Sequence, residues 1–172
     1  IVGSENAYNA AKEDGYASDT YYQVAHHTPC IAVQAGNPKG ITGLEDLAKE
    51  GITVILGDPE ANAIGHTAQK LIEKNNLPGI NDNTVSLTAT VNEIVTQLAS
   101  GQADAGIVTY DNVHANPDIE IIQIPSEQNI DQLIPVCTLT LSENPDEAQA
   151  FVDFIASDDG KALFKANGFE PA

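Results

Sequence analysis

Positive charge is scarce in this sequence: 7 Lys and Arg stand against 25 Asp and Glu in 172 residues, a formal net charge of -18 at pH 7. Nucleic acid and anionic lipid are held chiefly by Lys and Arg contacts to phosphate, so a field of this sign disfavours both as partners. The acidic surplus reads as a solvated anionic surface. Hydrophobic residues make up 42% of the chain, yet no apolar run approaches the roughly 18 to 20 residues that cross a bilayer. A membrane-inserted helix within this stretch is therefore not expected. There is no lysine-bearing phosphate loop and no G-x-G-x-x-G, which removes the two glycine-based routes to nucleotide binding. No G-x-S-x-G is present, and no nucleophile stands with an acid-base pair, so the reading is of a protein that is not an enzyme.

Cysteine is nearly absent as well, with only Cys30 and Cys137. Both sit in apolar strand-like runs, the setting of inert core thiols, and their number allows one disulfide or two buried thiols. The four histidines, His26, His27, His66 and His114, do not complete the four-ligand spacing of a zinc site around the His26-His27 pair. No residue is expected as a direct metal ligand, and no cofactor is implied. The opening Ile1-Val2-Gly3-Ser4 has neither an initiator Met nor the regions of a signal peptide and reads as part of something longer.

Alternation is what the chain does have. Residues 53–56 form a β-type run, and residues 64–74 place Ile64, Ala68, Leu71 and Ile72 on one helical face. A short strand at 85–87 follows, then a helix over 91–100 with Val91, Ile94, Val95 and Leu98 on one side, then a strand at 105–108. This βαβαβ order predicts a parallel sheet flanked by helices. Strands are also expected at 30–34, 119–124 and 136–141. Helices are expected from Pro145, carrying Ala148, Phe151, Val152 and Ile155 on one face, and over 158–167, closed by Gly168. A chain that leaves one region, builds a βαβαβ lobe and returns predicts two lobes, with residues 1–34 and 125–172 in the first and 35–124 in the second.

The stretch Gly57-Asp58-Pro59-Glu60-Ala61-Asn62-Ala63-Ile64-Gly65 links the first strand to its helix. The helix starts at Ile64 and Val91 offer free N–H groups at positive helix ends, where an anion is stabilised without a basic side chain. Thr109 and Tyr110 add hydroxyls after the next strand, at the edge where open α/β sheets bind ligands. Every α/β protein has such edges, so the pattern alone leaves the ligand open. Asp58 and Glu60 read as turn formers rather than cation ligands.

Gly36-Asn37-Pro38, Leu44-Glu45-Asp46-Leu47-Ala48, Gly57-Asp58-Pro59-Glu60 and the run from Leu98 through Gly101-Gln102-Ala103-Asp104-Ala105-Gly106-Ile107-Val108, in this order, resemble the periplasmic molybdate-binding proteins of ABC importers. The terminal Phe164-Lys165-Ala166-Asn167-Gly168-Phe169 is similar to that family's end. The resemblance implies a two-lobed α/β fold of the periplasmic-binding-protein kind, sheets flanked by helices. It also implies capture of molybdate or tungstate and delivery to an ABC permease. The family's ligand contacts map onto the amides at Ile64, with Gly65 beside it, and at Val91. Its tyrosine maps onto Thr109, with Tyr110 one place later. Carboxylate ligands, used by one branch, are not offered in register, and Glu93 is only a distant candidate. The family's two serine loops have no match here, which implies an incomplete first lobe in this chain. A monomer is implied, periplasmic or extracellular and possibly lipid-anchored in the full-length protein. In that compartment a Cys30–Cys137 disulfide between the crossing strands becomes plausible. The alternative is the ligand-sensing domain of a transcriptional regulator.

Overall fold

The computed structural model describes all 172 residues, and they gather into two compact units, residues 1–27 with 131–172 and residues 28–130. The elements begin with α1 (Glu5–Glu13), β1 (Tyr22–His27), β2 (Pro29–Gln34), α2 (Leu44–Leu47), β3 (Val54–Gly57) and α3 (Ala63–Lys74). They continue with α4 (Gly79–Asp82), β4 (Thr84–Thr88), α5 (Val91–Ala99), β5 (Ala105–Thr109), α6 (Tyr110–Val113) and β6 (Ile119–Gln123). The last are β7 (Gln132–Val136), α7 (Pro145–Ala156), α8 (Asp158–Ala166) and the two-residue β8 (Glu170–Pro171).

In the unit of residues 28–130 the sheet runs β4-β3-β5-β2-β6. β3 is parallel to both β4 and β5, whereas β2 is antiparallel to β5 and β6. The predicted βαβαβ core is present, and the sheet is mixed rather than wholly parallel. Every residue of β3 and β5 is buried, as is all of β2 but Gln34. Strands covered on both faces need apolar residues at odd and even positions alike, hence the unbroken runs Val54-Ile55-Leu56 and Cys30-Ile31-Ala32-Val33.

Helix α3 buries Ile64, Ala68, Leu71 and Ile72, and α5 buries Ile94 and Leu98. Their 3.6-residue spacing made both faces legible. Burial of each Leu or Ile contributes about 1.5–3 kcal/mol of transfer free energy. Gly101, at φ 72°, follows α5 and donates its N–H to the Leu98 carbonyl at 2.9 Å, a left-handed helix stop.

The unit boundaries differ from those expected. β2 (Pro29–Gln34), placed by sequence in the first lobe, lies near the centre of this sheet, bonded on both edges. The second unit therefore begins at Thr28 and extends to Ile130. Local patterning marks Cys30-Ile31-Ala32-Val33 as a strand but carries no information on which partners it selects.

The unit of residues 1–27 with 131–172 holds a three-stranded sheet, β7-β1-β8, antiparallel throughout. Val24, Ala25, Ile134, Val136, Val152 and Ile155 form its core. Helix α1, which hydrophobic periodicity did not reveal, is anchored by buried Tyr8, whose hydroxyl donates to the Ser18 carbonyl at 2.9 Å. The strand expected over 136–141 is displaced: β7 ends at Val136, opposite Tyr22, where β1 begins. Beyond it Leu139 makes only an isolated bridge to Ala17, and Leu139 and Leu141 are exposed. On α7, Val152 and Ile155 are buried as expected, but Phe151 lies outside the buried stripe. No helix is long and apolar enough to cross a membrane.

Candidate functional site

Strands β4, β3 and β5 are neighbours with parallel direction, and their register pairs Gly57 with Thr88 and Ile55 with Gly106. The turns leaving Gly57, Thr88 and Thr109 consequently emerge along one edge of one sheet. The Asp58 N–H donates to the Thr88 carbonyl at 2.8 Å and ties the first two turns together. Topology has thus brought the Ile64, Val91 and Thr109-Tyr110 segments to a common border.

The turn after β3 is closed by Asp58. Its Oδ1 accepts from the Glu60 N–H at 2.9 Å, and its carbonyl accepts from the Asn62 N–H at 2.7 Å. Asn62 then caps α3: its Oδ1 accepts from the Ile64 N–H at 3.2 Å, and its carbonyl accepts from the Gly65 N–H at 3.0 Å. Both amides singled out by sequence therefore have partners within the turn. Gly65 is there for another reason, since a Cβ on it would lie 2.3 Å from the Gly57 carbonyl oxygen. Helix α3 begins so close to the end of β3 that neither residue has room for a side chain.

Asn62 is the residue that sequence reasoning passed over. Its Nδ2 is buried and makes no hydrogen bond, which leaves a donor unsatisfied at the start of the helix. An Asn directly before the apolar period of a helix is an N-cap signal, and that signal was available.

The turn after β4 is also tightly capped. Buried Thr88 donates its hydroxyl to the Thr90 carbonyl at 3.0 Å, and the Thr90 hydroxyl accepts from the Glu93 N–H at 3.3 Å. The Glu93 carboxylate turns back to accept from the Ala89 N–H at 3.1 Å, a variant of the capping box. Glu93 therefore serves the helix start. Val91 is the first residue of α5, where the N–H has no intrahelical acceptor.

At the third turn Thr109 is buried, and its hydroxyl accepts from Asn112 Nδ2 at 2.6 Å. Tyr110 is half-buried, donates its N–H to the Thr28 carbonyl at 3.0 Å, and stacks its ring on His114 with centroids 5.9 Å apart. Thr109 is thus locked inward by Asn112, while the Tyr110 ring lies nearer the surface.

Electrostatics set α3 apart. Seven helices carry an acidic residue in the first turn, and α3 carries none. Carboxylates stabilise a positive helix end, and on a chain of charge -18 the start of α3 is the one that has none in its first turn.

Both cysteines are free thiols, so of the two alternatives the sequence left open, the structure has the unbridged one. Cys30 sits inside the sheet between Val108 and Gln123, in a different unit from Cys137. Burial pushes its thiol up to about 12, with the Asp111 carboxylate adding to the shift. No group of three or more His, Cys, Asp or Glu side chains gathers as a metal site. His26 is paired with Asp131, and His27 stacks on Phe169 at 6.0 Å.

Two α/β units exchanging the chain twice, one with helix starts aligned at the carboxyl ends of parallel strands, have the periplasmic-binding-protein-like fold. The chain belongs to the bacterial extracellular solute-binding proteins, whose family model matches residues 1–170. It is 30% identical over 148 residues to a putative binding protein of Haemophilus influenzae, covering 85% of this chain and 60% of that protein. It is 27% identical to the molybdate-binding protein ModA of Mycobacterium bovis over 146 residues, 84% of this chain and 54% of that one. The chain thus spans little more than half the length of these relatives. Among solved structures, the substrate binding domain of a putative molybdenum ABC transporter from Clostridium difficile superposes with a TM-score of 0.84 at 22% identity. That match covers 98% of this chain and 74% of the other.

Proposed function

We propose that this protein is an extracytoplasmic solute-binding protein that captures a tetrahedral oxyanion, molybdate or tungstate, and delivers it to an ABC permease. It performs no chemistry on its ligand. The observation that carries the reading is the start of α3, the one helix without a first-turn carboxylate, where the buried Asn62 Nδ2 lacks an acceptor. An anion there would receive Asn62 Nδ2 and, from the neighbouring turn, the Val91 N–H. The Ile64 and Gly65 segment would shape the wall, and Tyr110 would supply a hydroxyl, with Thr109 holding the turn. The family supports a binding role, and the molybdate-binding relative and the molybdenum-transporter neighbour support the choice of oxyanion.

Neutral donors suit this protein. A doubly charged oxyanion approaching a surface of net charge -18 is repelled at long range, so recognition depends on short-range dipoles that screen the carboxylates. Amides instead of arginines also hold the ion without an ion pair, which eases release to a partner.

Calorimetric titration with molybdate, tungstate, sulfate and phosphate tests the proposal. Molybdate and tungstate should bind, with sulfate and phosphate about tenfold or more weaker. Heat from sulfate alone, or from none of the four, would overturn it.

A further inference from the structure

Residues 28–130 are one uninterrupted stretch, entered at Thr28 and left at Ile130, whereas the other unit is assembled from two separate pieces, 1–27 and 131–172. The ends of the stretch are held by its own residues. Buried Asn129 donates from Nδ2 to the Pro29 carbonyl at 2.8 Å, and Tyr110 donates its N–H to the Thr28 carbonyl at 3.0 Å. From the C-terminal end of α3, Lys74 Nζ donates to the Asn129 carbonyl at 2.6 Å and Asn75 Nδ2 to the Gln128 carbonyl at 2.9 Å. The first and last segments are thus fastened together without help from residues outside the stretch.

The two cores are unequal. Residues 28–130 hold one cluster of 24 buried side chains, while the other unit's cluster has six. Of the ten exposed large hydrophobic side chains, eight belong to the unit with the smaller core, Phe151, Phe154 and Leu163 among them. Removal of apolar surface from water is the main favourable term in folding, so the two units differ in what holds them.

Connectivity adds an asymmetry. β1 and β7 pair Ala25 with Ile134 and His26 with Leu133, across the whole intervening stretch. When residues 28–130 are folded, their tied ends bring β1 and β7 together. When they are unfolded, the same pairing must close a loop of that entire length, and the closure entropy falls on the smaller core.

We infer that residues 28–130 are the self-supporting part of this chain, and that residues 1–27 with 131–172 stay folded only on top of it and open first. A state with β1, β7 and β8 unpaired and the five-stranded sheet intact therefore lies below global unfolding. The consequence for binding rests on the oxyanion reading above: Asn62, Val91 and Tyr110 all lie within residues 28–130, so the partly open state keeps those contacts and still takes the ion.

Native-state hydrogen exchange of the full chain, read by peptide mass spectrometry in low, rising denaturant, tests the order. Amides of β1 and β7 should exchange through one shared opening about tenfold or more faster than those of β2, β3 and β5. Two mild core variants separate a hierarchy from independent or all-or-none unfolding. Ile134→Val should speed exchange in both units by about threefold or more, because every molecule open at β3 is also open at β1. Ile107→Val should speed exchange only within residues 28–130. Saturating molybdate should slow exchange within residues 28–130 by about tenfold or more and leave the opening of β1 and β7 unchanged. A single opening common to both units, earlier opening of residues 28–130, or an Ile134→Val effect confined to its own unit would overturn the hierarchy. Molybdate that slows both units equally would overturn binding by the partly open state. Molybdate that slows neither would overturn the oxyanion reading itself, and the two variants still decide the order of opening.

Discussion

Gly57 and Gly65 are packed backbone to backbone: a Cβ on Gly57 would lie 2.8 Å from the Gly65 nitrogen, and one on Gly65 would lie 2.3 Å from the Gly57 oxygen. This contact sets where α3 begins relative to the end of β3, and hence where the Asn62 cap sits. Gly65→Ala cannot be accommodated by a side-chain shift, because the obstructing atoms are backbone. It should cost about 1–3 kcal/mol, the range for overpacking, read as a lower denaturation midpoint with unchanged m-value. Oxyanion affinity should fall with it, and equal stability to wild type would contradict the contact.

Val91→Pro separates a donor from its scaffold. Val91 is the first residue of α5 and Thr90 before it is extended at φ -135° and ψ 153°, the backbone that a following proline requires. The fold should survive while one N–H is removed. Molybdate affinity should fall by about tenfold or more, the effect of one charge-assisted hydrogen bond, with Val91→Ala as a near-neutral control. Unchanged affinity in the proline variant would remove Val91 from the site.

Asn62→Asp keeps an acceptor for the Ile64 N–H and replaces the unpartnered Nδ2 with a carboxylate oxygen. Asp caps helices as well as Asn does, so thermal stability should remain close to wild type. Oxyanion binding should be lost, because the substitution exchanges a donor for a negative charge at the proposed contact. Binding that persists at wild-type strength would place the ligand elsewhere.

Cys30 makes a prediction about pH. A thiol pushed up to about 12 by burial has a folded-state value above that of the unfolded chain. The proton it retains then contributes stability that is fully present below the unfolded value of roughly 8.5 and is lost as pH rises towards 12. Between those limits Cys30→Ala should lose less stability per pH step than wild type. In native protein near neutral pH an alkylating reagent should modify Cys137 and spare Cys30 until denaturant is added. Rapid labelling of native Cys30 would contradict its burial.

The elements of the central sheet were legible because their signals are local. Ile64, Ala68, Leu71 and Ile72 repeat at helical spacing, and Val54-Ile55-Leu56 and Ala105-Gly106-Ile107-Val108 are continuous because both faces are covered. Helix α1 was not legible, because Tyr8 is its only buried residue and one anchor makes no period. The displaced end of β7 was hidden for a different reason. Val136-Cys137-Thr138-Leu139-Thr140-Leu141 has the composition of a strand, but β1 stops pairing at Tyr22, so the partner runs out before the propensity does.

At the site, the sequence by itself determined the two turns and their helix starts, since glycine, Asn, Thr and Pro act on the backbone within a few residues of where they stand. Charge likewise set the kind of donor to expect, because composition alone limits how many cations are available. Only the tertiary structure decided how those donors are used. Pairing of β3 with β4 and β5 joins segments far apart in the chain and brings their turns to one edge, where the Asn62 cap takes the Ile64 and Gly65 amides while its own Nδ2 is left without a partner. Hydrogen-bond satisfaction depends on which strands lie side by side, and strand order is a property of the whole packed sheet.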